Sequence, residues 1–379
     1  MALHFDHHEY ETRISRATAS MAEQNLDGLL IFSQESMYYL TGFDTFGFCF
    51  FQCLYLGADG TRALLTRAPD LRQAQHTSIL EDIRIWTDEK GASPAAQLRD
   101  MVGDLGGRGK RLGVEYDTAG LNAANGKAVD AAFDGFASLI DASHLVSALR
   151  VVKSPAELEY IRVAGRLADD ALEAALAETR IGADEGDILA ALQGTIFRGG
   201  GDFPANEVII GSGADALLCR YKAGRRVLET NDQMTLEWAG AYRHYHAAMM
   251  RTIIVGAPSN RHIEMHGACK DALEAVEAVM RPGHTAGDVF DAHAAVMDAA
   301  GLKDHRLNAC GYSQGARFTP SWMDWPMFFH GNDVQLAPNM VYFAHMILMD
   351  SDSGKAMTLG RSYIVTQPDP EPFLSLLHF

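Results

Sequence analysis

Residues 236–256 read LEWAGAYRHYHAAMMRTIIVG, and this stretch decides the fold. The runs QMTLEWAG and YHAAMMRTIIVG are rich in β-branched, aromatic and other apolar residues, and together they read as an antiparallel hairpin. Taken as one strand, Arg243 to Thr252 alternates its side chains between two faces. His244, His246 and Ala248 then share one face, and Arg243, Tyr245 and Ala247 share the other. Two histidines on the buried face of a core strand have no packing rationale, because buried imidazoles need partners. The bland alternative is a pair of satisfied structural histidines near a surface edge.

Upstream of the hairpin, Ser154-Pro155-Ala156-Glu157 supplies an N-cap serine, a proline at the first helical position and a glutamate at the third, which make a capping box. Leu158, Ile161, Leu167, Leu172 and Leu176 line one face of the long helix that follows. Further helices fit 184–198, 259–280 and 286–300, the last capped by Thr285 and stopped by Gly301. EVIIGSG, MVYFAHMIL and SYIVT add β-rich segments, so residues 151–379 read as an α+β domain. The first 150 residues alternate differently. A helical pattern over 8–24 precedes short apolar runs at 29–32, 51–56, 62–66, 83–86 and 112–117, which argues an α/β domain with a mixed sheet. The expected division is 1–150 and 151–379.

Composition narrows the function classes. The chain has 379 residues, 47% hydrophobic and 21% charged, with 32 Lys and Arg against 49 Asp and Glu, a net charge of −17. Such a balance repels phosphate backbones and argues against nucleic-acid binding. The N-terminus lacks the apolar core of a signal peptide, and no apolar run is long enough to span a membrane, so a cytoplasmic location is expected. Five scattered cysteines, Cys49, Cys53, Cys219, Cys269 and Cys310, read as reduced thiols. Cys49 and Cys53 lack the second pair that a zinc site needs.

The order of elements after 154 resembles the creatinase, prolidase and methionine aminopeptidase superfamily, the pita-bread fold. KSPAELEYIRVAGRLADDAL (153–172) is similar to the first helix of its catalytic domain. LEWAGAYRHYHAAMMRTIIVG is similar to the hairpin that the metallopeptidases write as D-x-G-x-x-x-x-G-Y-x-S-D-x-T-R-T, and MTLGRSYIVT is similar to its closing strand. The metallopeptidases hold two metal ions with two aspartates, one histidine and two glutamates, since adjacent hard cations need an anionic oxygen cluster. Laid on those motifs, the five positions here hold Glu237, Ala248, Tyr312, His345 and Gly360. One carboxylate out of five implies a metal-free site with no cofactor, a single ion on Glu237 and His345 being the minor alternative.

Within the superfamily the likeness is greatest to the creatinase and ectoine hydrolase branch, which works without metals on C–N bonds. Glu237, Ala239-Gly240, Tyr242, Arg243, Tyr245-His246 and Arg251-Thr252 match that branch's hairpin, and MYYLTGFDTFGFCFFQ (37–52) resembles a loop of its N-terminal domain. The resemblance implies a homodimer in which that loop reaches the partner's active site. Two stretches depart from the pattern. GSGADALLCRYKAG carries Cys219, Arg220 and Tyr221 where a histidine is usual, and TPSWMDWPMFFHG (319–331) has no counterpart.

Cleaving an amide or amidine without metal needs a base to activate water, donors for the developing oxyanion and an acid for the leaving nitrogen. Glu237 is the expected base or proton shuttle, His345 or His246 the partner acid, and Tyr312 and Arg220 the donors. His244 and Tyr221 join the expected substrate-binding set. Trp322, Trp325, Phe328, Phe329 and His330 suggest either an aromatic wall for a cationic substrate or a core-covering loop. Phe43 and Phe46, with Tyr38 and Phe48, suggest an inter-subunit lid. The expected function is therefore metal-independent hydrolysis of a C–N bond in a small zwitterionic or cyclic molecule. The alternatives are a metal-dependent Xaa-Pro dipeptidase or lyase with altered ligands, and a non-catalytic binding protein.

Overall fold

The computed structural model describes residues 3–220 and 224–373. The chain forms two compact units, Met1–Arg150 and Val151–Phe379. Among the described residues no helix is long and apolar enough to cross a membrane. All five cysteines are free thiols.

The first unit runs α1 (His7–Glu23), β1 (Gly28–Ile31), α2 (Gln34–Thr41), β2 (Cys53–Gly57), β3 (Arg62–Arg67), α3 (Leu71–Thr77), β4 (Asp82–Trp86), α4 (Pro94–Asp104), β5 (Arg111–Val114), α5 (Ala123–Phe133), β6 (Ser138–Asp141) and α6 (Leu145–Val151). Its six strands form one mixed sheet in the order β4-β3-β2-β1-β5-β6, with β1 parallel to β5 and antiparallel to β2. β1 is apolar on both sides because both faces are covered. Leu29 and Ile31 pack with Ile14, Met37 and Leu40, while Leu30 packs with Leu98 and Val129. Beyond the end of β5, the Glu115 carboxylate accepts from the Phe32 and Ser33 amides and the Ser36 hydroxyl, tying β1 and the start of α2 together.

The aromatic lid expected at 37–52 is mostly core. Tyr38 and Phe43 are fully buried and Phe48 nearly so, because α2 takes in residues 34–41 and turns Phe43 inward. Phe46 alone of the four stands out, 85% exposed. Phe43 is therefore corrected from a substrate contact to a core residue.

The second unit runs α7 (Pro155–Glu178), α8 (Glu185–Arg198), β7 (Ile209–Ser212), β8 (Asp232–Tyr242), β9 (Tyr245–Val255), α9 (Asn260–Val279), α10 (Ala286–Ala299), β10 (Gly311–Ser313), β11 (Asp324–Met327), β12 (Val341–Asp350), β13 (Lys355–Ile364) and β14 (Glu371–Pro372). Both halves of the capping box at Ser154 and Glu157 form, and Thr285 makes a second with Asp288. The antiparallel sheet has the order β11-β10-β12-β13-β9-β8-β7, with β14 paired to β13.

Alternation along the strands divides the sheet into two faces. Leu236, Trp238 and Met249 pack against α7 and α8, and Ala344, Met346 and Leu348 against α9 and α10. Ala239, Ala248, Met250, Phe343 and Ile347 turn to the opposite face. The hairpin lies hard against α7. A Cβ on Gly240 would stand 2.0 Å from the Ala164 carbonyl oxygen, so only glycine permits this approach.

β8 and β9 pair from Asp232 opposite Val255 to Tyr242 opposite Tyr245, leaving Arg243 and His244 as a two-residue turn with φ of 49° and 65°. Such turns normally carry Asn-Gly. Here the His244 ring stacks on Phe318 at 4.1 Å, its amide donates to Asp202, and the Arg243 guanidinium lies 4.7 Å from the Tyr160 ring centre. Tertiary contacts thus hold a turn that local preference disfavours. His244 is accordingly a turn residue, a correction to the strand-face placement beside His246.

Candidate active site

Three of the five expected ligand positions fall along one line across the sheet. Glu237 on β8 stands opposite Met250 on β9, Met250 opposite Gly360 on β13, and Gly360 opposite His345 on β12. Directly paired residues share a face, so Glu237 and His345 look into the same concavity. Tyr312 enters from β10, beyond β12. Its hydroxyl donates to Glu237 Oε1 at 3.2 Å although β12, β13 and β9 lie between the two strands. In a flat sheet β10 and β8 would be about 19 Å apart. The hydrogen bond therefore requires the sheet to curl until its two sides face each other.

Trp322 completes a chain of donors. Its indole Nε1 donates to the Tyr312 hydroxyl oxygen at 2.8 Å, and its own amide donates to Asn206 Oδ1 at 3.0 Å. The Tyr312 and His345 rings are 5.7 Å apart. Cys219, Met323, Met327 and Met349 supply a soft, polarisable wall around Tyr312, Trp322 and Phe343. Arg220 stands at the rim with Nη2 3.7 Å from Met323 Sδ. A cavity of about 560 Å³ opens there, lined by Phe203, Pro204, Ala205, Asn206, Arg220 and Pro320.

Charge states follow from this packing. Burial pushes the Glu237 carboxyl up to about 7, against the Tyr312 hydrogen bond and the Arg220 charge, which favour the ionised form. Burial and the nearby Glu237 charge drive the Tyr312 hydroxyl well above its usual value, so it remains a donor. Burial pulls His345 down to about 3, helped by His293 and Arg220, and the imidazole stays neutral. His246 is likewise pulled to about 3 by burial and by His244. Its Nε2 accepts the Ala205 amide at 2.9 Å, so its work is to fix the segment that walls the cavity.

The remaining expected contacts separate. Trp322 is 1% exposed and belongs to the hydrogen-bond chain, which corrects its placement in an aromatic wall. Strand β11 turns Asp324 and Pro326 inward and leaves Trp325 39% exposed on its outer side. His330 is exposed and pairs with Asp291 at 2.8 Å; both placements correct the reading of 319–331 as one gripping loop. Tyr221 lies outside the described residues. Arg251 donates to the carbonyls of Met250 and Gly360, pinning β9 to β13. Asn206 is the site residue that sequence reasoning missed, since an exposed-looking Asn before Glu207 carries no local signal.

The donor set does not fit a pair of hard cations. Glu237 is its one carboxylate, and Ala248 offers no ligand atom. A Cβ on Gly360 would stand 2.5 Å from the Phe343 ring, so an aromatic side chain fills the space of a carboxylate there. Among the described residues the group able to gather three ligand atoms is His305, Asp350 and Asp352 at the far end of β12. Asp350 there already accepts from the Asp352 and Ser353 amides and from Arg261.

Comparison with known proteins agrees with this architecture. Residues 159–367 match metallopeptidase family M24, and residues 13–152 match the creatinase/prolidase N-terminal domain. The ectoine hydrolase of Halomonas elongata is 27% identical, covering 97% of this chain and 95% of that protein. The Xaa-Pro dipeptidase of Pyrococcus furiosus is 23% identical over 87% of this chain and 88% of its own. Among solved structures, the Xaa-Pro dipeptidase from Bacillus anthracis superposes with a TM-score of 0.85 at 22% identity, covering 98% and 99% of the two chains. The prolidase from Thermococcus sibiricus superposes with a TM-score of 0.87 at 18% identity, covering 97% and 98%. The chain thus belongs to metallopeptidase family M24, a hydrolase with the creatinase/prolidase N-terminal domain and the pita-bread catalytic fold.

Proposed function

We propose that this protein hydrolyses a C–N bond of the amide or amidine type in a small zwitterionic or cyclic molecule, without a metal ion. The observation that carries the reading is the Glu237 carboxyl, which accepts from Tyr312 and is pushed by burial to a pKa of about 7, on a sheet face whose other matched positions are apolar, hydroxyl or neutral imidazole. A group poised there exchanges protons in both directions at neutral pH. The full-length similarity to an ectoine hydrolase favours a cyclic amidine over an Xaa-Pro peptide as substrate.

In the proposed reaction, ionised Glu237 takes a proton from water as the water oxygen bonds to the substrate carbon. The protonated Glu237 then delivers that proton to the nitrogen as the C–N bond breaks. Tyr312 holds the carboxylate in place and offers the site its hydroxyl dipole. His345, neutral at working pH, contributes a hydrogen bond and not an acid, because a group with a pKa of about 3 carries almost no proton to give. The same argument removes His246 as the acid. Arg220 at the rim suits a carboxylate on the substrate. We further propose a homodimer in which the exposed Phe46 contributes to subunit contact.

A substrate panel tests the reading. Ectoine, creatine and proline dipeptides would be incubated with the protein and the products resolved by mass spectrometry, with a thermal-shift screen alongside. Hydrolysis of a cyclic amidine or guanidino acid supports the proposal. Turnover confined to proline dipeptides overturns it.

A further inference from the structure

We propose that Trp322 is a positioning residue for the hydrolytic step, fixing the direction in which the Tyr312 hydroxyl donates. This rests on the reading of Glu237 as the proton carrier. A phenol oxygen has one proton to give and lone pairs to receive, and its proton rotates to suit its surroundings. The Trp322 indole can only donate. By occupying the Tyr312 oxygen from one side at 2.8 Å, it leaves the hydroxyl proton to point at Glu237 Oε1, 3.2 Å away on the other. The chain has a single polarity, Trp322 to Tyr312 to Glu237, and each donor strengthens the next.

The indole is built in from both ends. Its ring is 1% exposed, its amide is held by Asn206, and the His246 ring lies 6.4 Å away. Asn206 and Ala205 also line the cavity, and His246 holds the Ala205 amide. The cavity wall and the proton carrier are therefore joined through Trp322, by its backbone amide on one side and its indole on the other. The charged and titratable groups that act on Glu237 besides Tyr312 are Arg220 at the rim and the Cys219 thiol. The Arg220 guanidinium meets the Met323 sulfur at 3.7 Å.

The test separates the indole N–H from the indole's bulk. Site-specific incorporation of the benzothiophene analogue of tryptophan at 322 keeps the ring shape and removes the donor, and Trp322→Phe removes both. With the full chain and ectoine as the assayed substrate, the analogue should lower kcat about tenfold with KM unchanged within about twofold, the size expected for one lost hydrogen bond. The acidic limb of the pH profile should move to higher pH, because the Tyr312 hydroxyl is no longer held toward Glu237 and its donation, which favours the ionised carboxylate, weakens. Its melting temperature should match that of the native protein. A kcat and pH limb unchanged by the analogue would overturn the positioning role, even if Trp322→Phe were inactive through misfolding. Glu237→Gln at full activity would instead remove the functional reading on which this role rests.

Discussion

A glutamate in water loses its proton near pH 4.5, whereas burial holds Glu237 up to about 7. Two consequences follow for that residue. As a base it must be ionised, so kcat/KM should fall about tenfold per pH unit below about 7. Tyr312→Phe removes the hydroxyl that favours the carboxylate. The limb should then shift to higher pH and kcat drop about tenfold or more, as read from the pH profile of each enzyme. Folding raises this pKa, so the folded chain binds the proton more tightly than the unfolded one, and Glu237 lowers stability progressively as pH rises from about 4.5 to about 7. Glu237→Gln should therefore melt at a higher temperature than the native protein at pH 8 and at the same temperature at pH 4. Calorimetry at the two pH values checks this. The convergence of Glu237, Tyr312 and His345 was legible in the sequence because each sits in a motif of fixed spacing. The indole of Trp322 was not, because its partner Tyr312 lies across a bulged pairing of β10 with β11, which no periodicity announces.

At the scale of elements, helix ends were the most legible feature. Ser154 with Glu157 and Thr285 with Asp288 place donors and acceptors so that the local sequence alone satisfies the first turn. The short helices α2, α3 and α6 have no such length of pattern, and α2 took the aromatic stretch at 37–41 into the core. The β8–β9 turn misled for another reason. Arg243 and His244 adopt left-handed backbone because Phe318, Asp202 and Tyr160 hold them, a force that comes from elsewhere in the chain. The contact between this hairpin and α7 should be unforgiving. Gly240→Ala would drive a methyl group into the Ala164 carbonyl and destabilise the second unit by about 3 kcal/mol, measurable by urea denaturation. His246→Ala would strand the buried Ala205 amide and cost about 1–3 kcal/mol by the same measurement.

For the whole molecule, the sheet and helices are those of the family. Met250, Phe343 and Ala248 pack together into an apolar floor, and Glu237 is the single anionic group among the five positions. Alternation and motif order made the two-faced sheet legible. The curl that brings Tyr312 to Glu237 is a property of the assembled sheet and no single strand encodes it. The proposed homodimer predicts a light-scattering mass near twice 41.3 kDa, with Phe46→Ser shifting the equilibrium toward the monomer. The central claim is hydrolysis by Glu237 without metal. Its direct test is steady-state turnover of the preferred substrate by protein dialysed against a strong chelator and shown metal-free by elemental analysis, with Glu237→Gln assayed beside it. Undiminished turnover by the chelated native protein, with at least a hundredfold loss in Glu237→Gln, is the predicted result. Turnover that vanishes on chelation and returns with manganese or cobalt would contradict it.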